Sequence, residues 1–192
     1  MPLLAGIISV FYTVCGAISN QFAVILPMPN WEYNIPMLPW TIWIYIVLYP
    51  TYIVWTLVNY RNEEIMNKLM YCFLLLIAIS CMIFIIFPVA YPRSFFPLPP
   101  DNDLTTVLFR AVRAIDKPSN CLPSLHVGIC YTLGIFFFRE NRRRFWISMF
   151  ISTLIALSTL TTKQHYIYDL VGGFGLSFFL FLFFDRKTIV KD

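Results

Sequence analysis

The chain has 192 residues, of which 59% are hydrophobic and only 12% are charged, and its formal net charge is +4. Soluble globular domains carry about 25% charged residues, so this composition excludes an ordinary soluble domain. Several apolar runs are long enough to cross a bilayer. We therefore expect an integral membrane protein with one domain over residues 1–192.

Hydropathy predicts an all-α fold in which six transmembrane helices form a bundle. The segment Met1–Asn20 has no Lys or Arg and is interpreted as part of the first helix rather than as a signal peptide. Pro50 predicts a kink within the second helix. The six helices are expected at roughly Leu3–Leu26, Trp40–Tyr60, Leu69–Phe87, Ser124–Phe138, Phe145–Thr161 and Tyr166–Phe184.

Between the third and fourth helices, residues Pro88–Pro123 are too polar and too rich in proline to span a membrane. Within this stretch, Asp103–Ile115 places its apolar residues on one helical face, and Arg110 and Arg113 lie off that face. We expect a short amphipathic helix on the membrane surface. An ordinary helix packed within a loop is the alternative.

The basic residues divide unequally between the two sides of the predicted bundle. Nine of the 14 lie in the links after helices two and four and in the C-terminal segment. The other five are Arg93, Arg110, Arg113, Lys117 and Lys163. The positive-inside rule then predicts cytoplasmic termini and an outer face, whether periplasmic, extracellular or lumenal, that carries both histidines.

The five outer cations lie in the same loops as the only two histidines, His126 and His165. An anionic substrate explains this clustering, since arginine grips phosphate through a planar fork and lysine supplies a point charge. Solvated loop charges are the alternative. The five cysteines show no CxxC pair and no metal-like spacing, so neither a metal nor another cofactor is expected.

Each histidine begins a hydrophobic segment. Pro123 suits the first turn of a helix, and the free N–H groups of such a turn form an anion site close to His126. His165 and Asp169 are four residues apart and share a helical face. The carboxylate would fix the imidazole tautomer and leave the other ring nitrogen as a nucleophile toward phosphorus. A buried hydrogen bond that only pins two helices together is the alternative.

The residues PSLH at 123–126 and the spacing of Ser158, His165 and Asp169 resemble the second and third signature motifs of the type 2 phosphatidic acid phosphatase superfamily. The PSLH and HYxxD variants resemble most the branch that includes inositol phosphorylceramide synthases. The resemblance covers roughly Tyr91–Gly173, with signature motifs at 123–126 and 158–169.

This resemblance implies a role for each matching residue. His165 would be the nucleophile that forms a phosphohistidine, Asp169 would orient it, and His126 would be the general acid. Ser124 and backbone N–H groups would hold phosphate oxygens, and no metal would be needed.

Two departures from the family pattern concern the phosphate-binding residues. Thr159 stands where the third motif usually has arginine, and Lys163 is the candidate to supply that charge. The first motif, a lysine followed at a distance by Arg-Pro, is absent, and Arg93 is the candidate for its arginine. Arg110 and Arg113 complete the predicted phosphate-binding set.

The expected function is that of a metal-independent membrane lipid phosphatase, which hydrolyses a lipid phosphomonoester or diphosphate through a phosphohistidine. Its expected partners are a lipid phosphate and the bilayer, and not nucleic acid. A phosphotransferase that passes the phosphate to an alcohol is the main alternative. A metal site built from both histidines and a carboxylate, and a non-catalytic binding or transport module, are the others.

Overall fold

The computed structural model describes residues 2–116 and 118–189, and 75% of it is helical. Lys117 and Lys191, two of the basic residues counted above, lie outside the described residues. The α-helices are α1 (Pro2–Phe22), α2 (Asn30–Tyr33), α3 (Tyr49–Asn59), α4 (Glu63–Ile86), α5 (Leu104–Ile115), α6 (Leu125–Ile135), α7 (Phe137–Glu140), α8 (Arg142–Thr161) and α9 (Ile167–Ile189). Two short strands, β1 (Val24–Ile25) and β2 (Val89–Ala90), pair in parallel with Val24 opposite Val89.

Four helical segments among the described residues are long and apolar enough to cross a membrane, which marks the chain as a membrane protein. They are Pro39–Asn59, Glu63–Ile86, Arg142–Thr161 and Ile167–Asp185, and they correspond to the second, third, fifth and sixth predicted helices. The fourth predicted helix is shorter than expected, because α6 ends at Ile135 and α7 has only four residues. A count of six spans stays a prediction.

The second span is continuous but irregular. It opens with a 3₁₀ turn at Pro39–Thr41, passes through a π-helical segment at Ile44–Leu48, and continues as α3. Pro50 has no N–H for the carbonyl four residues earlier, and its ring crowds that turn, so the helix widens there. The widened turn carries Tyr45, whose side chain is buried in the protein.

Helix α6 lies at the centre of the bundle, packed against α4, α8 and α9. Glycines permit the close approach. A Cβ on Gly128 would lie 3.2 Å from Leu76 Cδ1, and one on Gly134 would lie 2.7 Å from Ser148 Cβ. Ser177 Oγ on α9 donates to the carbonyl of Gly128 at 2.7 Å, which ties α9 to α6.

One end of the bundle joins the two basic links and the C-terminal helix. Glu140 Oε1 accepts from the backbone N–H groups of Arg61 and Asn62, at 2.7 and 2.8 Å. Arg139 forms an ion pair with Asp185 near the end of α9. The predicted helix arrangement requires these three segments to lie on the same side of the membrane.

Helix α5 covers the segment in which the amphipathic helix was predicted. Asp103 caps it by accepting from Thr106 N at 3.2 Å. The apolar residues Leu104 and Ile115 are 64% and 84% exposed, whereas Phe109 on the opposite face is fully buried in the protein. The predicted apolar face is thus directed away from the protein, and its contact with a membrane surface stays a prediction.

The packing of α9 against the start of α6 predicts that Gly173→Ala destabilises the protein. The added Cβ would lie 2.5 Å from the backbone oxygen of Ser124, so the two helices must separate. We expect a loss of roughly 1–3 kcal/mol, measured as a lower melting temperature in detergent. Gly175→Ala is the matched control, because a Cβ there meets nothing within 4 Å. Equal melting temperatures for the two variants would contradict this packing.

Candidate active site

The two histidine-bearing stretches meet where α6 and α9 begin. Ser124 N, just before α6, donates to the backbone oxygen of Asp169 at 2.9 Å. This contact sets the two helix starts side by side, and the rings of His126 and His165 have centroids 5.8 Å apart. Pro123 lies one residue before the N-cap, Ser124, so His126 falls in the first turn of α6.

His165 is paired with a fully buried carboxylate. Its Nδ1 lies 3.0 Å from Asp169 Oδ2, and the same oxygen accepts from the backbone N–H of Tyr166 at 2.9 Å. A carboxylate only accepts hydrogen bonds, so Nδ1 carries the proton and Nε2 keeps its lone pair. This is the arrangement that leaves a neutral imidazole ready to attack an electrophile.

His126 is connected to a second carboxylate through a tyrosine. The Tyr45 hydroxyl lies 2.6 Å from His126 Nε2 and donates to Asp116 Oδ2 at 3.0 Å. Asp116 also forms an ion pair with Arg93, whose Nη2 lies 3.6 Å from Oδ2. The loop that follows Asp116 runs beside β2, with Tyr91 N bonded to the carbonyl of Pro118 at 2.9 Å. This pairing places Arg93 near the histidines.

Both histidines line a small pocket with a volume of about 10 Å³, room for about one water molecule. Three of its polar side chains carry buried atoms that have no hydrogen-bond partner, namely Arg93 Nε, Gln164 Nε2 and Oε1, and Asn120 Oδ1. Unpaired donors and acceptors in a buried site are costly unless a ligand satisfies them. The pocket residues are Tyr12, Arg93, Asp116, Ser119, Asn120, Cys121, Leu125, His126, Gln164 and His165.

Of the five residues predicted to bind phosphate, only Arg93 lines this pocket. Ser124 is fully buried, and its hydroxyl caps α6 by accepting from Val127 N at 3.4 Å. Arg110 donates to Asn102 and to the carbonyls of Pro99 and Asp101, and Arg113 donates to the carbonyl of Phe96 at 2.8 Å. These arginines therefore hold the loop before α5 in place.

Lys163 is directed away from the pocket. It adopts a left-handed conformation (φ 54°) at the turn after α8, and its Nζ lies 4.3 Å from the centre of the Phe96 ring and 3.5 Å from the carbonyl of Glu32. Burial lowers the pKa of Lys163, and the carboxylate of Glu32 opposes that shift. Burial likewise raises the pKa of Glu32, although its bond to Ile167 N opposes the rise. Both side chains are buried, and their opposite charges favour each other.

Sequence reasoning missed Tyr45, Asp116, Asn120, Gln164 and Glu32. Tyr45 lies in an apolar run that offers no signal of its own. Asp116 and Asn120 belong to a polar loop that directly precedes the PSLH motif, and Gln164 is adjacent to His165. Their proximity to the motifs in sequence was the available signal. Glu32 is 135 residues from its partner Ile167, and no local pattern relates them.

One cluster of possible metal ligands occurs among the described residues, formed by Cys121, His165 and Asp169 with ligand atoms within 4.8 Å of one another. The groups are already engaged with one another or with the backbone. His165 Nδ1 is bonded to Asp169, and Cys121 Sγ donates to the carbonyl of Pro118 at 3.0 Å. Burial and the nearby Asp169 raise the pKa of Cys121, which disfavours the thiolate that a metal requires. The arrangement suits a hydrogen-bonded pair of His165 and Asp169 better than a metal centre.

A larger cavity of about 170 Å³ lies next to the histidine pocket. The two share Tyr12, Asp116, Ser119 and Asn120. The larger cavity is bounded on its other side by Thr13, Gly16 and Ala17 of α1 and by Ile115 of α5. Its lining is mostly apolar, so it offers room for a hydrocarbon or an alcohol beside the polar pocket.

Comparison with known proteins gives one family match. The sequence model of the PAP2 superfamily matches residues 30–183, which include both histidines, Asp169 and every helix from α2 to most of α9. No curated protein and no solved structure matches the chain.

Because Arg93 Nε is buried and unpaired, we expect Arg93 and Arg110 to differ in phosphate binding, although the sequence predicts that both bind phosphate. Arg93→Gln should weaken binding of orthovanadate, a phosphate analogue, by about 10- to 100-fold, because a charged donor in a buried pocket is lost. Arg110→Gln is the control and should change binding less than about twofold, since Arg110 contacts only the loop at 99–102. Calorimetry on detergent-purified protein measures both. A larger loss in the Arg110 variant would contradict the assignment.

Proposed function

Because the chain belongs to the PAP2 superfamily, we propose that it is an integral-membrane lipid phosphatase that acts through a phosphohistidine at His165. The family supports phosphatase or phosphotransferase chemistry in general. The proposed substrate is a lipid phosphomonoester or diphosphate. The observation that carries the proposal is the pairing of His165 Nδ1 with Asp169 at 3.0 Å, across a small pocket from His126 and Arg93.

In the first step, the lone pair of His165 Nε2 attacks phosphorus and the bond from phosphorus to the lipid oxygen breaks. His126 gives its proton to that leaving oxygen. Asp169 stabilises the positive charge that develops on His165. The donors of Arg93 and Gln164 are available for the oxygens of the transferred group.

In the second step, water attacks the phosphohistidine. His126 takes one proton from the water, the bond from nitrogen to phosphorus breaks, and inorganic phosphate leaves with His165 restored. The scheme requires no metal, because the charge on the transferred group is met by Arg93 and by hydrogen-bond donors.

We place the site on the outer face of the membrane and the termini in the cytoplasm. The excess of basic residues in the links at 61–68 and 139–144 and in the C-terminal segment supports this orientation. The histidines lie at the opposite ends of their helices from these links.

The test is phosphate release by detergent-purified protein from a panel of lipid phosphates, with a strong chelator present. His165→Ala should lower turnover by at least ~10³-fold, because the nucleophile is lost. Asp169→Asn should retain measurable turnover, since the substitution removes the charge but keeps most of the side chain's shape. Tyr168→Phe is the control, because Tyr168 is on the same helix and is 46% exposed. Full turnover in His165→Ala would refute the phosphohistidine mechanism.

A phosphotransferase on the same scaffold is the second candidate. The adjoining cavity of about 170 Å³ favours it. An alcohol acceptor needs space beside the pocket, which this cavity offers, whereas a water molecule does not. The two functions differ only in the acceptor. Adding candidate alcohols to the same assay separates them: a new phosphorylated product formed at the expense of free phosphate identifies the transferase.

A further inference from the structure

We infer that Tyr45 and Asp116 are positioning residues for His126, and that they hold it as the proton donor to the leaving oxygen. The inference rests on the proposed function and adds two residues to its mechanism. In contrast to the pair formed by His165 and Asp169, this chain of hydrogen bonds is made by a residue of the second span, a residue at the end of α5 and a residue of α6. No spacing in the sequence links the three.

The directions of the hydrogen bonds in this chain are fixed by chemistry. Asp116 Oδ2 can only accept, and Tyr45 has one hydroxyl proton, which it donates to Asp116 at 3.0 Å. The hydroxyl oxygen is then an acceptor, and the partner 2.6 Å away is His126 Nε2. Nε2 therefore carries a proton, and Nδ1 is the nitrogen left for exchange with substrate.

The two histidines thus take opposite tautomers. Asp169 fixes the proton of His165 on Nδ1 and leaves Nε2 as the nucleophile, whereas Tyr45 fixes the proton of His126 on Nε2. When His126 gains its second proton at Nδ1, the hydroxyl of Tyr45 and the charge of Asp116 stabilise the imidazolium. One ring is held ready to attack phosphorus, and the other, once protonated at Nδ1, is held ready to give up that proton.

The charged groups that face His126 come from three elements. Burial of the ring disfavours the imidazolium most, Asp116 favours it, and the nearby His165 and Arg93 disfavour it. Arg93 is paired with Asp116 at 3.6 Å, so its charge is partly neutralised. Without the carboxylate of Asp116, the cationic form of His126 would face Arg93 and His165 unaided.

Packing alone does not explain the hydroxyl of Tyr45. Tyr49 lies one turn further along the same span and also packs against the His126 ring, at 5.2 Å between centroids. The structure gives Tyr49 no hydrogen bond to His126, whereas Tyr45 reaches both His126 and Asp116. Tyr45 is 8% exposed and sits in the π-helical turn, which aims its side chain at the site.

The first experiment measures the tautomers directly and needs no substrate. The chain has only two histidines, so ¹⁵N-histidine labelling gives two ring systems, which His165→Gln assigns. At a pH where both rings are neutral, His126 should show a slowly exchanging Nε2–H proton and His165 an Nδ1–H proton. Tyr45→Phe should broaden the first signal by exchange with water and leave the second unchanged. A proton on Nδ1 of His126 in the natural chain would overturn the inference.

The second experiment uses the leaving group as the readout. An alkyl phosphate needs a proton on its leaving oxygen, whereas p-nitrophenyl phosphate releases a stable phenolate and needs it far less. Tyr45→Phe should lower kcat for the alkyl phosphate by about tenfold or more and for the aryl phosphate by less than about threefold. Tyr49→Phe, which keeps its ring beside His126, should treat the two substrates as the natural chain does.

Asp116→Asn serves as the second variant, since this residue lies in a partly exposed loop and its loss carries less risk to folding than a change at buried Tyr45. It should show the same selective loss on the alkyl phosphate. Equal losses on both substrates, or none on either, would overturn the inference. If the natural chain turns over neither substrate, the proposed function fails, and the tautomer measurement still decides the role of Tyr45.

Discussion

The site depends on the buried carboxylate of Asp169 and the backbone that carries it. Its Oδ2 receives His165 Nδ1 and the N–H of Tyr166, while its backbone oxygen receives the N–H of Ser124. One residue therefore orients His165, the proposed nucleophile, shapes the first turn of α9 and holds the start of α6 beside it. Gly173 makes this contact possible, because any Cβ there would press on the backbone of Ser124. The carboxylate itself has two of these contacts, both at Oδ2 and both from the loop before α9, while its buried Oδ1 has no hydrogen-bond partner among the described residues.

The part of the site that sequence reasoning could reach is the pairing of His165 with Asp169, although the two were expected on one helical face and His165 instead lies in the loop before α9, which begins at Ile167. His165 and Asp169 are four apart, and the structure brings their side chains within 3.0 Å. Four of the expected spans correspond to helices, although α4 begins at Glu63 rather than near Leu69. Hydropathy marks where apolar residues begin, whereas the helix begins at its cap, Asn62, whose side chain accepts from Ile65 N.

The long basic side chains near the site were beyond such reasoning. Lys163, Arg110 and Arg113 were expected at a phosphate, yet each is directed to nearby carbonyls or to an aromatic ring. A flexible side chain takes the nearest buried acceptor that needs a donor, and that acceptor is set by how distant segments fold together. Tyr45 is the opposite case. It lies in an apolar run, and its hydroxyl reaches two polar partners only because the π-helical turn directs the side chain toward them.

The ion pair between Arg93 and Asp116 has a consequence for the end of the proposed catalytic cycle. The pocket already contains a carboxylate, so the charge of Arg93 is partly balanced before any phosphate enters. A transferred phosphoryl group is retained by its covalent bond to nitrogen and does not depend on this balance. Free phosphate has no such bond, and as a dianion it meets the repulsion of Asp116. In the proposed mechanism, the same carboxylate that supports His126 through Tyr45 would therefore also favour departure of the free phosphate.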